Sequence, residues 1–443
     1  MKLIKAIYIS NTTYFLIATI ISVAVIGEFV PVFFYIAKYS FLFLVVLFFT
    51  DLLLLFNNKK GVIAARQVPE KLSNGDENKL FINVKNNYGT KIYLSIIDEI
   101  PFVFQKRDFI IRTELEQGAE KTFEYSLFPK ERGEYNFGNL NIYARTILGL
   151  AKRRYKFDYN ASSKVYPSFL QMRKYELMAI SNRLSEYGIK KIRKIGNQTE
   201  FEQIKEYVQG DDYRTINWKA TARKAQLMVN QYQDEKSQDV YSLVDKGRVM
   251  KMPFDEMTLL DYAINSSLVL SNISIIKDDK AGLITFSNKV DTFLKSEKKS
   301  GTISRISEIL YNQKTDFLES DYEKIYIAVK RNITKRSLLF LYTNFETMVS
   351  LKRHIDILRK IAHLHLLVVV IFDNTELNKM TKTNAKTMSE IFIKTTAEKF
   401  VSEKHQIARE LEKNGILSIL TSPQELTINS INKYLEIKTR NLI

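Results

Sequence analysis

RSLLFLYTNFETMVSLKRHIDILRKIAHLHLLVVVIFD, residues 336–373, reads as strand, helix, strand. Its ends, RSLLFLYTN (336–344) and HLLVVVIFD (365–373), are short, near-continuous apolar runs, the pattern of strands covered on both faces of a parallel sheet. MVSLKRHIDILRKIAH (348–363) between them places apolar residues at helical spacing. The alternation continues outward. DVYSLVD (239–245), AGLITFS (281–287) and GILSILT (415–421) read as further strands. TLLDYAINSSLVLSNIS (258–274), TISRISEILYN (302–312), SEKHQIARELEKN (402–414) and PQELTINSINKYLEIKTR (423–440) read as helices, the last with proline in its first turn. Residues 236–443 are therefore expected to form a doubly wound α/β domain, whose ligands meet the carboxyl ends of the strands where the strand order reverses.

The N-terminal part follows other periods. YFLIATIISVAVI (14–26) and SFLFLVVLFFTDLLLLF (40–56) have no polar face, and with their flanks each is long enough to cross about 30 Å of hydrocarbon. Residues 1–60 are read as a transmembrane hairpin with spans at about 8–28 and 33–56. Lys2 and Lys5 precede the first run and Lys59, Lys60, Arg66 and Lys71 follow the second. That bias places both ends, and the domains that follow, in the cytoplasm, with lipid met through residues 1–60. Asp51 interrupts the second run, and headgroup water, the neighbouring helix or a proton-sensing role would each account for it. From 61 to 160 the period becomes two. KLFINVKN (79–86), KIYLSIID (91–98), KTFEYSLFP (121–129) and GEYNFGNLNIYAR (133–145), separated by turn formers, predict an immunoglobulin-like β-sandwich.

Composition narrows the chemistry. There is no cysteine, which excludes thiol nucleophiles and cysteine-held zinc, and the four histidines have no metal-pair spacing. No G-x-x-x-x-G-K-[ST] loop is present for nucleotide. The net charge of +17 is spread through the chain and interleaved with glutamate, which suits an anionic membrane face. A polynucleotide reading would rest on GIKKIRKIGNQ (188–198), but no reader motif accompanies it, and no nucleic-acid partner is expected.

The densest segment lies at 161–235, within which EFEQIKEYVQGDDYRTINWKATARKAQLMVNQY spans 200–232. FEQIKEYV predicts a short helix, with Phe201, Ile204 and Val208 on one face, and Gly210 with Asp211 and Asp212 a turn. Arg214 follows within reach of those carboxylates. Ile216 and the single tryptophan, Trp218, alternate with Asn217 and Lys219 as if facing a sheet, and QLMVNQY reads as an edge strand leading into DVYSLVD. A hydrolase reading makes Asp211 or Asp212 an acid or metal ligand. A structural or partner-docking reading needs no nucleophile, and none is nearby. Candidate positions are Glu200, Tyr207, Gly210, Asp211, Asp212, Arg214, Asn217, Trp218, Lys219 and Arg223.

Two strand ends and a helix start supply a second candidate. Asp245, Thr302 and Asn344 stand where a von Willebrand factor A domain holds a hard cation, from an Asp-x-Ser-x-Ser loop, a threonine and a second aspartate. Here Gly247 and Val249 replace the serines and Asn344 replaces the aspartate, so the set is degenerate. Mg²⁺ is the one cofactor to consider and none is expected. Capping of the following turn is the alternative role for Asp245. The block YVQGDDYRTINWKATAR (207–223), followed by a strand ending DKGRVM, by DKAGLITFS, and preceded by two apolar runs and a β region, closely resembles the family called domain of unknown function 58. That resemblance implies a von Willebrand factor A-like C-terminal part, a MoxR-type AAA+ ATPase as partner, and a non-enzymatic role as membrane-anchored scaffold in assembling or activating other complexes.

Overall fold

The computed structural model describes residues 6–106, 109–157, 161–180, 200–209, 211, 213–233, 237–255, 257–315, 317–382, 387–440 and 442. They divide into two units, Met1–Tyr166 and Pro167–Ile443. The strand Ala161–Tyr166, expected at the head of the signature segment, belongs to the first unit, where it pairs with Gly133–Phe137 and Lys71–Ser73.

The first unit opens with a three-residue strand, Ile7–Ile9, on the edge of the strand Ala151–Phe157. The first apolar helix therefore begins at Asn11, not near residue 8, and ends at Gly27. The second runs from Pro31 to Phe56, about 39 Å at the α-helical rise. Gly27 permits the tight turn, since a Cβ there would lie 2.4 Å from the Phe34 nitrogen. Phe15, Phe29, Phe43 and Leu53 are 64–85% exposed, a surface that only another apolar phase or partner would cover. Pro31–Phe56 is long and apolar enough to cross a bilayer and is mostly exposed. The helix Leu259–Ile276 passes the same test but is 83% buried, as a core helix.

Asp51 has a different role from those expected. It is fully buried and accepts from the Thr146 hydroxyl and from the backbone N–H of Leu150 and Ala151, at 2.9 and 2.8 Å. Arg153 reaches the carbonyls of Leu55, Asn58 and Lys59 at 2.6, 2.7 and 3.1 Å. The last turns of the long helix are thus hydrogen-bonded into the β region rather than to the hairpin's other helix. That region comprises a five-stranded sheet and two three-stranded ones around one core, including Leu72, Ile82, Ile96, Leu127, Ile142 and Val165. The alternation of buried and exposed residues along Val62–Gln67 and Asn78–Asn86 is that of strands with one face inward.

In the second unit we number the elements of the α/β domain alone. They are β1 (Asp239–Asp245), α1 (Leu259–Ile276), β2 (Lys280–Phe286), β3 (Val290–Glu297), α2 (Thr302–Tyr311), α3 (Tyr322–Asn332), β4 (Leu338–Tyr342), α4 (Met348–Leu364), β5 (Leu366–Phe372), α5 (Thr375–Thr381), α6 (Met388–Lys413), β6 (Leu417–Thr421) and α7 (Leu426–Thr439). The sheet order is β3-β2-β1-β4-β5-β6, parallel except for β3. Residue parity assigns the two faces. Val240, Val244, Phe340, Val368 and Val370 pack with α1, α2 and α7, whereas Leu243, Leu341, Val369 and Ile371 pack with α3, α4 and α6. The strand order reverses between β1 and β4, so their carboxyl ends form the crevice where such sheets bind ligands.

Candidate functional site

The crevice is built on Asp245, the last residue of β1, which is fully buried. One oxygen accepts from the Gly247 N–H at 2.8 Å and from the Ser320 hydroxyl. The other accepts from Thr343 Oγ1 at 2.7 Å and from the Tyr322 hydroxyl at 3.3 Å. Burial, the largest influence, raises the Asp245 carboxyl above the usual carboxylate range, and the four donors work against it. Burial and the adjacent carboxylate push the Tyr322 phenol well up, which keeps it a donor. His354 lies against that ring with the centres 4.5 Å apart and the planes tilted by 37°, and burial lowers its pKa.

Of the degenerate candidate set, neither Thr302 nor Asn344 is among the groups hydrogen-bonded to Asp245. Thr302 opens α2. The Asn344 side-chain oxygen instead accepts from Lys404 Nζ at 2.5 Å, and the same ammonium donates to the Phe345 carbonyl at 2.6 Å. Gly247 is fixed by space, because a Cβ would stand 2.1 Å from Ser320 Oγ and 3.0 Å from Asp245 Oδ1. A dication would have to compete with four donors for the carboxylate and with an ammonium for the amide. The donor set does not suit Mg²⁺. Asp245 does cap its own turn through Gly247, and in addition ties β1 to β4 and to the residues leading into α3.

The signature segment forms a second, separate construction. Glu200–Glu206 is a strand, not the expected helix, and pairs antiparallel with Met228–Gln233. The two strands form their own sheet, so QLMVNQY is not an edge of the large sheet. Phe201 and Ile204 stand three apart, a helical spacing, and the hydrogen bonds supplied by the partner strand decide the outcome. Inside the hairpin, Asn217 caps the helix Trp218–Lys224 by accepting from the Ala220 N–H at 3.0 Å, while its amide donates to Asn230 Oδ1 at 2.8 Å. Thr221 Oγ1 accepts from the Met228 N–H at 3.0 Å, and the Tyr207 N–H donates to the Leu227 carbonyl at 2.8 Å.

Asp211 pairs with Lys205 at 2.9 Å and accepts from the Val208 N–H at 3.0 Å, and Lys205 holds its carboxyl below the usual range. It is therefore an ordinary ion-paired carboxylate, placed to close the turn. The Arg214 guanidinium lies 5.7 Å from the Tyr213 ring centre. Trp218 does not face a sheet. It is 70% exposed and Tyr213 is 69% exposed, with Lys219 and Arg223 also exposed. Gly210 and Asp212 lie outside the described residues, as does the 188–198 run, and of Glu200 only the backbone is described.

Four residues at the crevice carry weight that sequence reasoning missed: Ser320, Tyr322, Thr343 and Lys404. Thr343 adjoins Asn344 at a strand end, and Ser320 and Tyr322 flank the α3 cap residue Asp321. Those positions were open to notice. Lys404 sits among alternating charges in mid-helix and has no sequence signal.

The family model described as "Protein of unknown function DUF58" matches residues 203–400, from the signature hairpin into α6. Uncharacterized protein YeaD of Bacillus subtilis (strain 168) is 26% identical over 150 residues, 33% of this chain and 36% of that one, so the match spans about a third of the relative's length. Among solved structures, a PapD-like domain of human CEP192 aligns over 24% of this chain and 87% of its own, with a TM-score of 0.18 and 11% identity. A CARDB domain from Pyrococcus furiosus aligns over 24% and 86%, with a TM-score of 0.17 and 12% identity. The hairpin, the crevice and most of the large sheet fall within the family match, and this chain is a DUF58-domain protein.

Proposed function

We infer that this protein is a membrane-anchored adaptor that docks protein partners, foremost a MoxR-type AAA+ ATPase, and performs no bond chemistry itself. The observation that carries this reading is the position of Trp218. The chain has one tryptophan, and it stands 70% exposed, five positions along the chain from exposed Tyr213, on a hairpin held by its own hydrogen bonds. Exposed aromatics flanked by Arg214, Lys219 and Arg223 have the composition of an interface centre, where a few aromatic and arginine residues dominate affinity. The apolar hairpin of helices anchors the chain at a bacterial inner membrane. Its ends and the soluble units lie in the cytoplasm, in line with the lysine and arginine bias. The β region is an immunoglobulin-like spacer clamped to the long helix through Asp51 and Arg153. The α/β domain is von Willebrand factor A-like, with its adhesion site replaced by internal hydrogen bonds.

The test is purification of the full chain, detergent-solubilised from its native host, as wild type and as Trp218→Ala with Tyr213→Ala. The wild type is expected to co-elute with an AAA+ ATPase and the double variant to lose it. Repeated absence of any such ATPase from the wild-type eluate defeats the reading. So does turnover of a substrate by the purified chain alone.

A further inference from the structure

The crevice has a second compartment on the far side of Asn344, a cavity of about 340 Å³. Phe254, Leu259, Phe372, Leu377, Phe400 and Val401 make its walls apolar, and Lys404 enters it. An ammonium has three hydrogens to donate. Two are taken by Asn344 Oδ1 and the Phe345 carbonyl, both neutral, and among the described residues no third acceptor lies within hydrogen-bond distance. A partly buried donor is therefore left directed at an apolar hollow. The volume is at the lower end of ligand cavities, enough for one large side chain and too little for a dinucleotide.

Charge defines which acceptor the third hydrogen would be donated to. Glu346 and Asp373 line the same cavity and their negative fields act on Lys404. A carboxylate or phosphate entering would meet both, whereas a neutral carbonyl would not. The approach is apolar as well. On α6, Met388, Phe392 and Phe400 precede Lys404 at intervals of four or eight residues, one face of the helix, and they are 83%, 74% and 41% exposed. That stripe runs about 24 Å, from the amino end of the helix to the cavity mouth.

We propose that this cavity is an anchor pocket for a protein partner, receiving one large apolar side chain while the main-chain carbonyl beside it accepts the free N–H of Lys404. The inference rests on the docking reading above and names the chemistry of the contact. The stripe on α6 seats the apolar residues that follow the anchor. Burial holds the lysine amine down at about 8, so it remains a charged donor at neutral pH.

Met252 lines the cavity and reports on it. The full chain in lipid nanodiscs, with methyl-labelled methionine and the signal assigned by Met252→Leu, is titrated with N-acetyl-phenylalaninamide as the probe. A saturable shift of the Met252 methyl is expected, with N-acetyl-glycinamide and the anion N-acetyl-phenylalanine each binding several-fold more weakly. Lys404→Met should weaken the probe about tenfold, the loss of one hydrogen bond from a charged donor. Val401→Trp, which fills the hollow, should abolish the shift. No saturable shift, an equal response to the glycine compound, or tighter binding of the anion overturns the proposal. Broadening of the Met388 and Met252 methyls by a 5-doxyl lipid in the disc also overturns it, because the stripe would then belong to the membrane. The companion ATPase is read separately. A chain that keeps the ATPase but shows no Met252 response loses the pocket and keeps the docking reading. A chain that binds the probe without a companion keeps a peptide-group site and loses the docking reading.

Discussion

The Asp245 crevice and the signature hairpin lie in the same unit and treat their costly residues in opposite ways. At the crevice a fully buried carboxylate is closed off by four donors from β1, the β4 end and the approach to α3. On the hairpin, polar side chains build the frame, through Asn217, Thr221 and Asp211, and the aromatics are left outside. A saturated polar centre stabilises the fold. A rigid frame with exposed aromatics contributes little to its own fold and is suited to contact. Within one unit, polar saturation and aromatic exposure are thus assigned to different constructions.

The most severe way to break that contrast is to empty the centre. Asp245→Ala removes the buried acceptor of the Gly247 N–H and the Ser320 hydroxyl, and leaves Thr343 and Tyr322 only the hydrogen bond they share at 2.7 Å. It is expected to cost about 3–5 kcal/mol, the range for breaking a buried network from one side. Denaturant unfolding of the solubilised chain checks it. An effect below about 1 kcal/mol would mean that the four donors find other acceptors and the centre is not structural.

The hairpin should respond in the reverse sense. Trp218→Ala is expected to change stability by less than about 0.5 kcal/mol, as for an exposed side chain. It should nevertheless weaken the partner complex by about 2 kcal/mol, roughly thirtyfold. Paired measurements of melting and of partner affinity on one preparation make the comparison direct. A large loss of stability would move Trp218 to the structural side.

The same contrast explains what was legible in the sequence. The sheet was readable because strands buried on both faces, such as LLVVVIF, leave no other reading, and the expected order of strands and helices holds from β1 to α7. β3 was missed because VDTFLKSE is a half-exposed antiparallel edge, and α3 because polar residues break its apolar pattern. The signature hairpin was misread at Glu200–Glu206, where local pattern favours a helix and a partner strand two dozen residues on decides otherwise. At the candidate cation site the sequence is less informative for a different reason. Ligand type at a strand end says which groups are near, but whether Asn344 turns to a metal or to Lys404 depends on a helix sixty residues away. Asp51 was likewise visible as a carboxylate in an apolar run, while its donors come from residues 146–151 of the β region.

Lys404 stands between the two extremes, and pH separates its contribution. Burial lowers its folded pKa from 10.5 to about 8. Between those values the unfolded chain holds a proton that the folded chain has released, so stability should rise as pH increases from 8 towards 10.5. Allowing for partial exposure, the gain is on the order of 2 kcal/mol across that window. Lys404→Met should remove this rise and leave the rest of the pH profile in place. A profile identical in wild type and variant would show that the amine is solvated and does not sit against the apolar cavity.

The smallest predicted effect tests the packing around the saturated centre. Gly247→Ala needs no unusual backbone, because φ is −63° and ψ is 171°, an extended conformation open to any residue. Its cost comes from contact alone, since the new methyl would displace Ser320 Oγ and crowd Asp245 Oδ1. About 1–2 kcal/mol is expected, the range for mild overpacking. Ser320→Gly in the same chain should recover part of it by vacating the space, leaving the Gly247 N–H, Thr343 and Tyr322 on the carboxylate. If the second substitution adds to the first instead of offsetting it, the Ser320 hydroxyl contributes more than the space it occupies. The centre would then depend on all four donors at once.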